Sequence, residues 1–87
     1  MKGIYKKQLN ILEIYDDYNE LIAEDVVKDS DWWISAETED KSLIDFNLIQ
    51  EGEEDYKLTL YPKTFIDFQG YVNTDPYISK PVTLIVI

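Results

Sequence analysis

The predicted fold class of this chain rests on residues 31–61, which read DWWISAETEDKSLIDFNLIQEGEEDYKLTLY. Apolar and polar side chains alternate in three runs, and a period of two is typical of a strand with one buried face. The segments TEDK and EGEED separate the runs and predict turns. The stretch therefore predicts a three-stranded antiparallel meander. The predicted inward side chains are Trp32, Ile34, Ala36, Ile44, Phe46, Leu48, Tyr56, Leu58 and Leu60.

The rest of the chain adds further predicted strands. Residues 9–15 and 64–68 are rich in β-branched and aromatic side chains. Residues 82–87 are apolar on both faces except at Thr83, which indicates an interior strand covered on both sides or a strand in a closed barrel. Residues 17–28 fit two interpretations, because their apolar positions match either one face of a helix or a strand that follows a DDYN turn.

We therefore predict a mainly β fold, a small antiparallel meander closing into a barrel or sandwich, with at most one helix at about 17–28. The alternative is an α+β fold with one helix packed on a four- to five-stranded antiparallel sheet. We expect the 87 residues to form a single compact acidic domain, 1–87. Because the chain has no cysteine, ordinary apolar side chains must form its core without a disulfide.

The charge of the chain restricts its partners. Eighteen acids face eight lysines, for a net charge of −10, and residues 14–55 alone hold fifteen of the acids and two of the lysines. Such a surface repels nucleic-acid backbones and anionic membranes and attracts basic proteins. We expect no direct nucleic-acid binding and no membrane association. The alternative explanation for the charge is solubility alone, for which a magnitude of about 2–8 is usual.

The residues of common catalytic sites are missing from the sequence. Without histidine or cysteine, the usual nucleophile–base pairs and imidazole or thiolate metal sites cannot form. Three glycines provide no phosphate-binding loop. DSD at 29–31 and EGEED at 51–55 offer oxygen ligands, but neither has the spacing of a calcium-binding loop. We therefore predict a protein that is not an enzyme and uses no cofactor or metal.

The sequence also predicts where the protein works. No apolar run reaches the roughly 18–20 residues of a membrane span. The apolar run near the N-terminus is interrupted by Asn10 and Glu13, and no small-residue cleavage site follows it. We therefore expect an unprocessed protein in the cytoplasm.

The adjacent tryptophans are expected to have different environments. Neighbouring side chains of a strand face opposite sides, and Trp32 is in phase with the predicted core residue Ile34. Trp33 is then directed outward beside Glu37, where an exposed indole suits a binding hot spot. The alternative is a second layer that covers Trp33. Tyr61 is out of phase with the inward leucines of its run and is a candidate surface aromatic.

These features favour binding without catalysis. Carboxylates at turns and on outward strand positions can stand in for phosphates. Alternate strand residues lie about 6.6–7 Å apart on one face, which is close to the distance between adjacent phosphates of a nucleic acid. In composition the chain resembles the acidic inhibitors that phages carry against host nucleases and the immunity proteins of nuclease toxins. The hypothesis is a small acidic inhibitor, of phage anti-defence or immunity type, that blocks a basic, nucleic-acid-binding surface of a partner such as a nuclease by charge mimicry. The predicted partner-binding residues are Asp29, Asp31, Trp33, Glu37, Glu39, Asp40, Glu51, Glu53, Glu54, Asp55 and Tyr61.

A second hypothesis is a structural or assembly module of a phage particle or a larger bacterial complex. An apolar strand at 82–87 would suit strand addition or an oligomer interface. The protein would then act as a homodimer or a subunit, whereas an inhibitor can also act as a monomer.

Overall fold

The computed structural model describes residues 1–37, 43–62, 64–66, 68–74 and 78–87. This part of the chain forms β-strands and no α-helix, so the prediction of a mainly β fold is confirmed. The strands are β1 Lys2–Lys6, β2 Ile11–Tyr15, β3 Leu21–Val26, β4 Asp31–Glu37, β5 Leu43–Gln50, β6 Tyr56–Tyr61, β7 Thr64–Ile66, β8 Val72–Thr74, β9 Lys80–Pro81 and β10 Thr83–Val86.

The strands form two packed sheets and a short hairpin. Sheet A has the order β10-β1-β2-β3, and sheet B has the order β4-β5-β6-β9, while β7 pairs with β8. All of these pairs are antiparallel except β1 with β10, which is parallel. The predicted meander is β4-β5-β6, in which Trp33 lies opposite Asn47 and Asn47 lies opposite Thr59.

Residues 17–28 form a turn and a strand, so of the two interpretations left open by the sequence the strand is the one observed. The Asp16 carboxylate accepts hydrogen bonds from the backbone N–H groups of Tyr18, at 2.8 Å, and Glu20, at 2.9 Å. Asn19 has a φ of 62°, a left-handed conformation that asparagine tolerates well. These local bonds offer the backbone an alternative to a helical turn, and β3 follows in register with β2.

One hydrophobic core joins the two sheets. Strands β4 and β5 bury the inward side chains that their alternation predicts, with Trp32 partly buried. A methyl group at Gly3 of β1 would lie 2.5 Å from Leu58 Cδ2 of β6, so the two sheets are tightly packed at this point. Tyr5 and Tyr56 also meet here, edge to face, with ring centroids 4.9 Å apart. The buried core residues are Tyr5, Leu12, Ile14, Ile34, Ala36, Ile44, Phe46, Leu48 and Leu58.

The last two strands carry the chain from sheet B to sheet A. Strand β9 pairs with β6, and the backbone N–H of Val82 donates to the Leu58 carbonyl at 3.0 Å before β10 joins β1. The expectation that residues 82–87 are covered on both faces is wrong, because β10 is an edge strand of sheet A and leaves Ile85 and Val86 exposed. Among the described residues, no helix has the length and apolar character needed to cross a membrane.

The close approach at Gly3 predicts a sensitive position. Gly3→Ala should lower the free energy of unfolding by about 1–3 kcal/mol, because the new methyl group displaces a buried leucine side chain. Gly52→Ala is the matched control, since its nearest contact would be 3.8 Å away in an exposed turn, and it should change stability by less than about 0.5 kcal/mol. Adding Leu58→Val, which removes the clashing δ-carbon, should recover part of the loss. Denaturant titration measures all three, and equal effects of the two glycine variants would contradict the packing described.

Candidate functional site

Two aromatic residues meet across the middle strand of sheet B. Trp33 belongs to β4 and Tyr61 to β6, and β5 lies between these strands. Strands flanking a common neighbour are about 9–10 Å apart. The two ring centroids are nevertheless only 5.1 Å apart, with an interplanar angle of 43°. Both side chains therefore lean over β5, and we refer to Trp33 and Tyr61 as the aromatic bridge.

A layer of polar side chains lies on the face of β5 that the aromatic bridge crosses. Asp45 lies opposite Tyr61, Asn47 lies opposite Trp33, and these two polar residues are only 8% and 4% exposed. Strand β7, which follows β6, also contacts β5. Because β5 has core leucine, isoleucine and phenylalanine side chains on its other face, it is enclosed on both sides.

Hydrogen bonds satisfy this polar layer. The Ser35 hydroxyl donates to the Asp45 carboxylate. The Asn47 side-chain amide donates to Asp31 Oδ1 at 2.6 Å and to the Trp32 carbonyl at 3.3 Å. Among the described residues, no buried side-chain nitrogen or oxygen atom lacks a hydrogen-bond partner. The aromatic bridge therefore stands on a hydrogen-bonded base, which also fixes the carboxylate of Asp31.

Trp33 remains accessible from solvent despite its contact with Tyr61. It points outward and is 46% exposed, whereas Trp32 is partly buried and donates its indole N–H to Asp25 Oδ2 at 3.3 Å. Asp31 precedes Trp33 by two residues on the same face of β4, so the two α-carbons are about 6.6–7 Å apart. An exposed indole and a carboxylate thus stand side by side on the outer face of sheet B.

Six of the predicted acidic residues gather at one end of sheet B, which we call the acidic end. The backbone N–H of Gln50 donates to the Ser30 carbonyl at 2.8 Å, which places the start of β4 beside the β5–β6 turn. All six side chains are exposed. Carboxylate oxygens can bind metal ions. Among the described residues, however, no three or more histidine, cysteine, aspartate or glutamate side chains are grouped so that they could hold a metal ion. The six residues are Asp29, Asp31, Glu51, Glu53, Glu54 and Asp55.

One ion pair ties the acidic end to sheet A. Lys7 Nζ lies 2.8 Å from Glu54 Oε1, and this hydrogen bond lowers the pKa of Glu54 and raises the pKa of Lys7. The pair therefore stabilises the fold between these two pKa values and is lost as the pH falls through the first or rises through the second. Among the described residues, Lys28 directly precedes Asp29 and Lys57 follows Asp55 by two positions, so these lysines offset part of the negative charge of the acidic end.

The other predicted acids are Glu37, Glu39 and Asp40. Glu37 ends β4 at the opposite end of sheet B, about 20 Å from Asp31 for six residues of strand. Glu39 and Asp40 lie outside the described residues. Glu37 borders a groove of about 260 Å³, whose other lining residues are Met1, Asp16, Asp17, Tyr18, Glu20, Ile22 and Ile44.

Three residues of the site were not predicted from the sequence. Ser35, Asp45 and Asn47 form the base of the aromatic bridge, although the alternation of β5 indicated only that its two polar residues point away from the core. The burial of Asp45 and Asn47 depends on the register that brings Trp33 and Tyr61 over β5, whereas Ser35 is exposed. A prediction of this burial would have required knowing that Trp33 lies opposite Asn47 and that Tyr61 lies opposite Asp45.

The exposure of Trp33 predicts how much it contributes to folding. Trp33→Ala should lower the free energy of unfolding by about 1–2 kcal/mol, because a half-exposed ring loses one aromatic contact and part of its buried area. Phe46→Ala, at a fully buried position of β5, should cost about 3–5 kcal/mol and serves as the reference for a core aromatic. Chemical denaturation of both variants is the measurement. A loss at Trp33 equal to that at Phe46 would mean that the indole is a core residue.

Comparisons of this chain with protein-family models, curated proteins and solved structures gave no match.

Proposed function

We propose that this protein is a non-enzymatic binding protein that acts in the cytoplasm and blocks a basic, nucleic-acid-binding surface of a partner protein. The partner would be a nuclease or another nucleic-acid-binding enzyme, as for the phage anti-defence inhibitors and immunity proteins that the composition resembles. In this proposal the acidic end supplies the charge that attracts the partner, and the aromatic bridge supplies an apolar contact beside it.

The observation that carries the proposal is the concentration of exposed carboxylates next to an exposed tryptophan. Of the six acids at the acidic end, Glu54 is the one with an ion-pair partner among the described residues. The other five carboxylates remain available to a basic surface. Their attraction for such a surface accelerates the encounter of the two proteins and favours partners of opposite charge. Trp33 adds the kind of large, rigid side chain that dominates binding energy at the centre of an interface.

The arrangement favours local charge density over a literal copy of a nucleic-acid backbone. On the outer face of β4, Trp33 and Ser35 stand between Asp31 and Glu37, so this strand presents no continuous row of carboxylates. The acids of the acidic end come instead from a turn and from the end of a strand. We therefore expect affinity to depend on how many carboxylates surround the contact, more than on a phosphate-like repeat.

Charge reversal at the acidic end tests the proposal. Glu53→Lys with Asp55→Lys should abolish capture of a basic nucleic-acid-binding protein from a native-host lysate, identified by mass spectrometry, while melting stays unchanged. Both positions are exposed and have no ion-pair partner among the described residues. Capture by the parent should also fall between about 0.1 M and 1 M salt, as the screening length falls from about 10 Å to about 3 Å.

A matched control separates the position of the charge from its total. Glu20→Lys with Glu24→Lys changes the net charge by the same amount, but these exposed residues belong to the β2–β3 turn and to β3, away from the acidic end. This variant should still capture the partner. Equal loss in both double variants, or capture that is indifferent to salt, would reject an acidic end that recognises a basic surface.

The assembly hypothesis is supported by a different feature, the exposed apolar residues Ile85, Val86 and Ile87, which are 42%, 38% and 65% exposed. If they form an interface between copies, light scattering at high protein concentration should detect dimers or larger species without any partner. Ile85→Lys should then return the protein to a monomer. A parent protein that stays monomeric would exclude this self-assembly.

A further inference from the structure

We propose that the aromatic bridge binds an arginine side chain of the partner, with the guanidinium over the exposed face of Trp33 and beside the carboxylate of Asp31. This inference rests on the proposed function, since it names the side chain that the site takes from a basic partner. It differs from the charge argument because it assigns a defined pocket to one residue type.

The aromatic part of this pocket suits a cation. Tryptophan offers the most favourable ring face for a positive charge within about 6 Å of its centroid. Trp33 is 46% exposed, and its ring contact with Tyr61 is tilted by 43°, which leaves indole surface open. In the part of the chain that the structure describes, the cation–ring contact joins Lys2 to Tyr15 on sheet A, and no lysine of this part lies over the aromatic bridge.

The carboxylates around the aromatic bridge complement a guanidinium. Asn47 binds Oδ1 of Asp31, which leaves Oδ2 of this exposed residue to accept a second donor. Asp45 lies beneath the rings at 8% exposure, with the Ser35 hydroxyl as its donor and no ion pair among the described residues. A buried carboxylate without a cation keeps the local potential negative, and a positive group above it lowers the cost of burying it.

The shape of the site favours arginine over lysine. A guanidinium is planar and weakly hydrated, so it can stack on the indole while its N–H groups reach a carboxylate at the edge of the ring. A lysine ammonium can use the charge of the site but cannot stack. Because the Asn47 amide already holds Asp31, little ordering of that carboxylate is needed when the guanidinium binds.

A peptide titration tests this assignment. The probe is a short capped peptide with one arginine, compared with the same peptide carrying lysine or the neutral isostere citrulline. In nitrogen–proton NMR spectra the Trp33 indole signal should shift and saturate as the arginine peptide is added. The lysine peptide should bind about two- to fivefold more weakly, and the citrulline peptide should not shift the signal. The indole of Trp32, held by Asp25, is an internal control that should not shift.

Two variants identify the residues that carry the binding. Trp33→Leu should remove saturable binding of the arginine peptide. Asp31→Asn keeps an oxygen that can accept from Asn47 but removes the charge, and it should weaken arginine binding about two- to fivefold. Glu24→Gln, an equal charge change at an exposed position of β3 in sheet A, should leave it unchanged. If Trp33→Leu does not fold, as judged by amide dispersion, the citrulline comparison and the Asp31 and Glu24 variants still decide.

The outcomes separate this inference from the proposed function. A Trp33 signal that does not shift, or that shifts equally with citrulline, overturns the arginine site. If Trp33→Leu still captures the basic partner while Glu53→Lys with Asp55→Lys does not, the inhibitor proposal stands without the arginine site. If the arginine peptide binds as expected but no basic partner is captured, the site stands and the proposed function fails.

Discussion

Strand β5 is enclosed on both faces, and the hydrogen bonding of sheet B follows from this enclosure. One face of this central strand packs Ile44, Phe46 and Leu48 into the core. The other face carries Asp45 and Asn47, and buried polar groups are costly unless they are hydrogen-bonded. The requirement is met by the neighbouring strand β4, which provides one hydroxyl, one carboxylate and one backbone carbonyl. The hydrogen bonds of Asp45 and Asn47 therefore hold Ser35 and Asp31 in place on the outer face of sheet B.

The charge distribution follows from the same meander. Antiparallel strands return to the same end of a sheet after every second turn, so the acidic segments before β4 and after β5 meet although twenty residues separate them in sequence. Their mutual repulsion is relieved at one point by Lys7, which reaches across from sheet A to Glu54. The contact joins the two sheets at an exposed site, where an ion pair contributes little to stability. The remaining carboxylates keep their charge directed at solvent.

Much of the fold could be predicted because the strongest pattern in the sequence is local. Alternation in residues 31–61 predicted β4, β5 and β6, and it placed Trp32 and Trp33 on opposite faces. Residues 17–28 could not be decided in this way, since their apolar positions fit both periods and the turn was set by bonds from the Asp16 carboxylate. Residues 82–87 were misjudged because an apolar sequence does not distinguish an interior strand from an edge strand.

The candidate site was less predictable than the fold, because it depends on register between strands. Six acids could be assigned to turns from the sequence, but their meeting at one end requires knowing how β3 connects to β4. The aromatic bridge needs the pairing of Asp45 with Tyr61 and of Asn47 with Trp33, which no local pattern specifies. The alternation in β5 indicated that Asp45 and Asn47 point away from the core, but it did not indicate that these two side chains are buried.

Folding and the proposed binding are linked at this site through Asn47. Its amide donates to a carboxylate of the acidic end and to the backbone of β4, while the indole that crosses above it faces solvent. A ring at position 33 therefore has two roles, since it covers a polar layer and presents an aromatic face. These roles make different demands: cover requires only apolar area, whereas attraction of a cation requires a π-face. An aliphatic residue of similar size would meet the first demand and not the second, so a loss of binding without a loss of fold is the physical signature of a recognition residue.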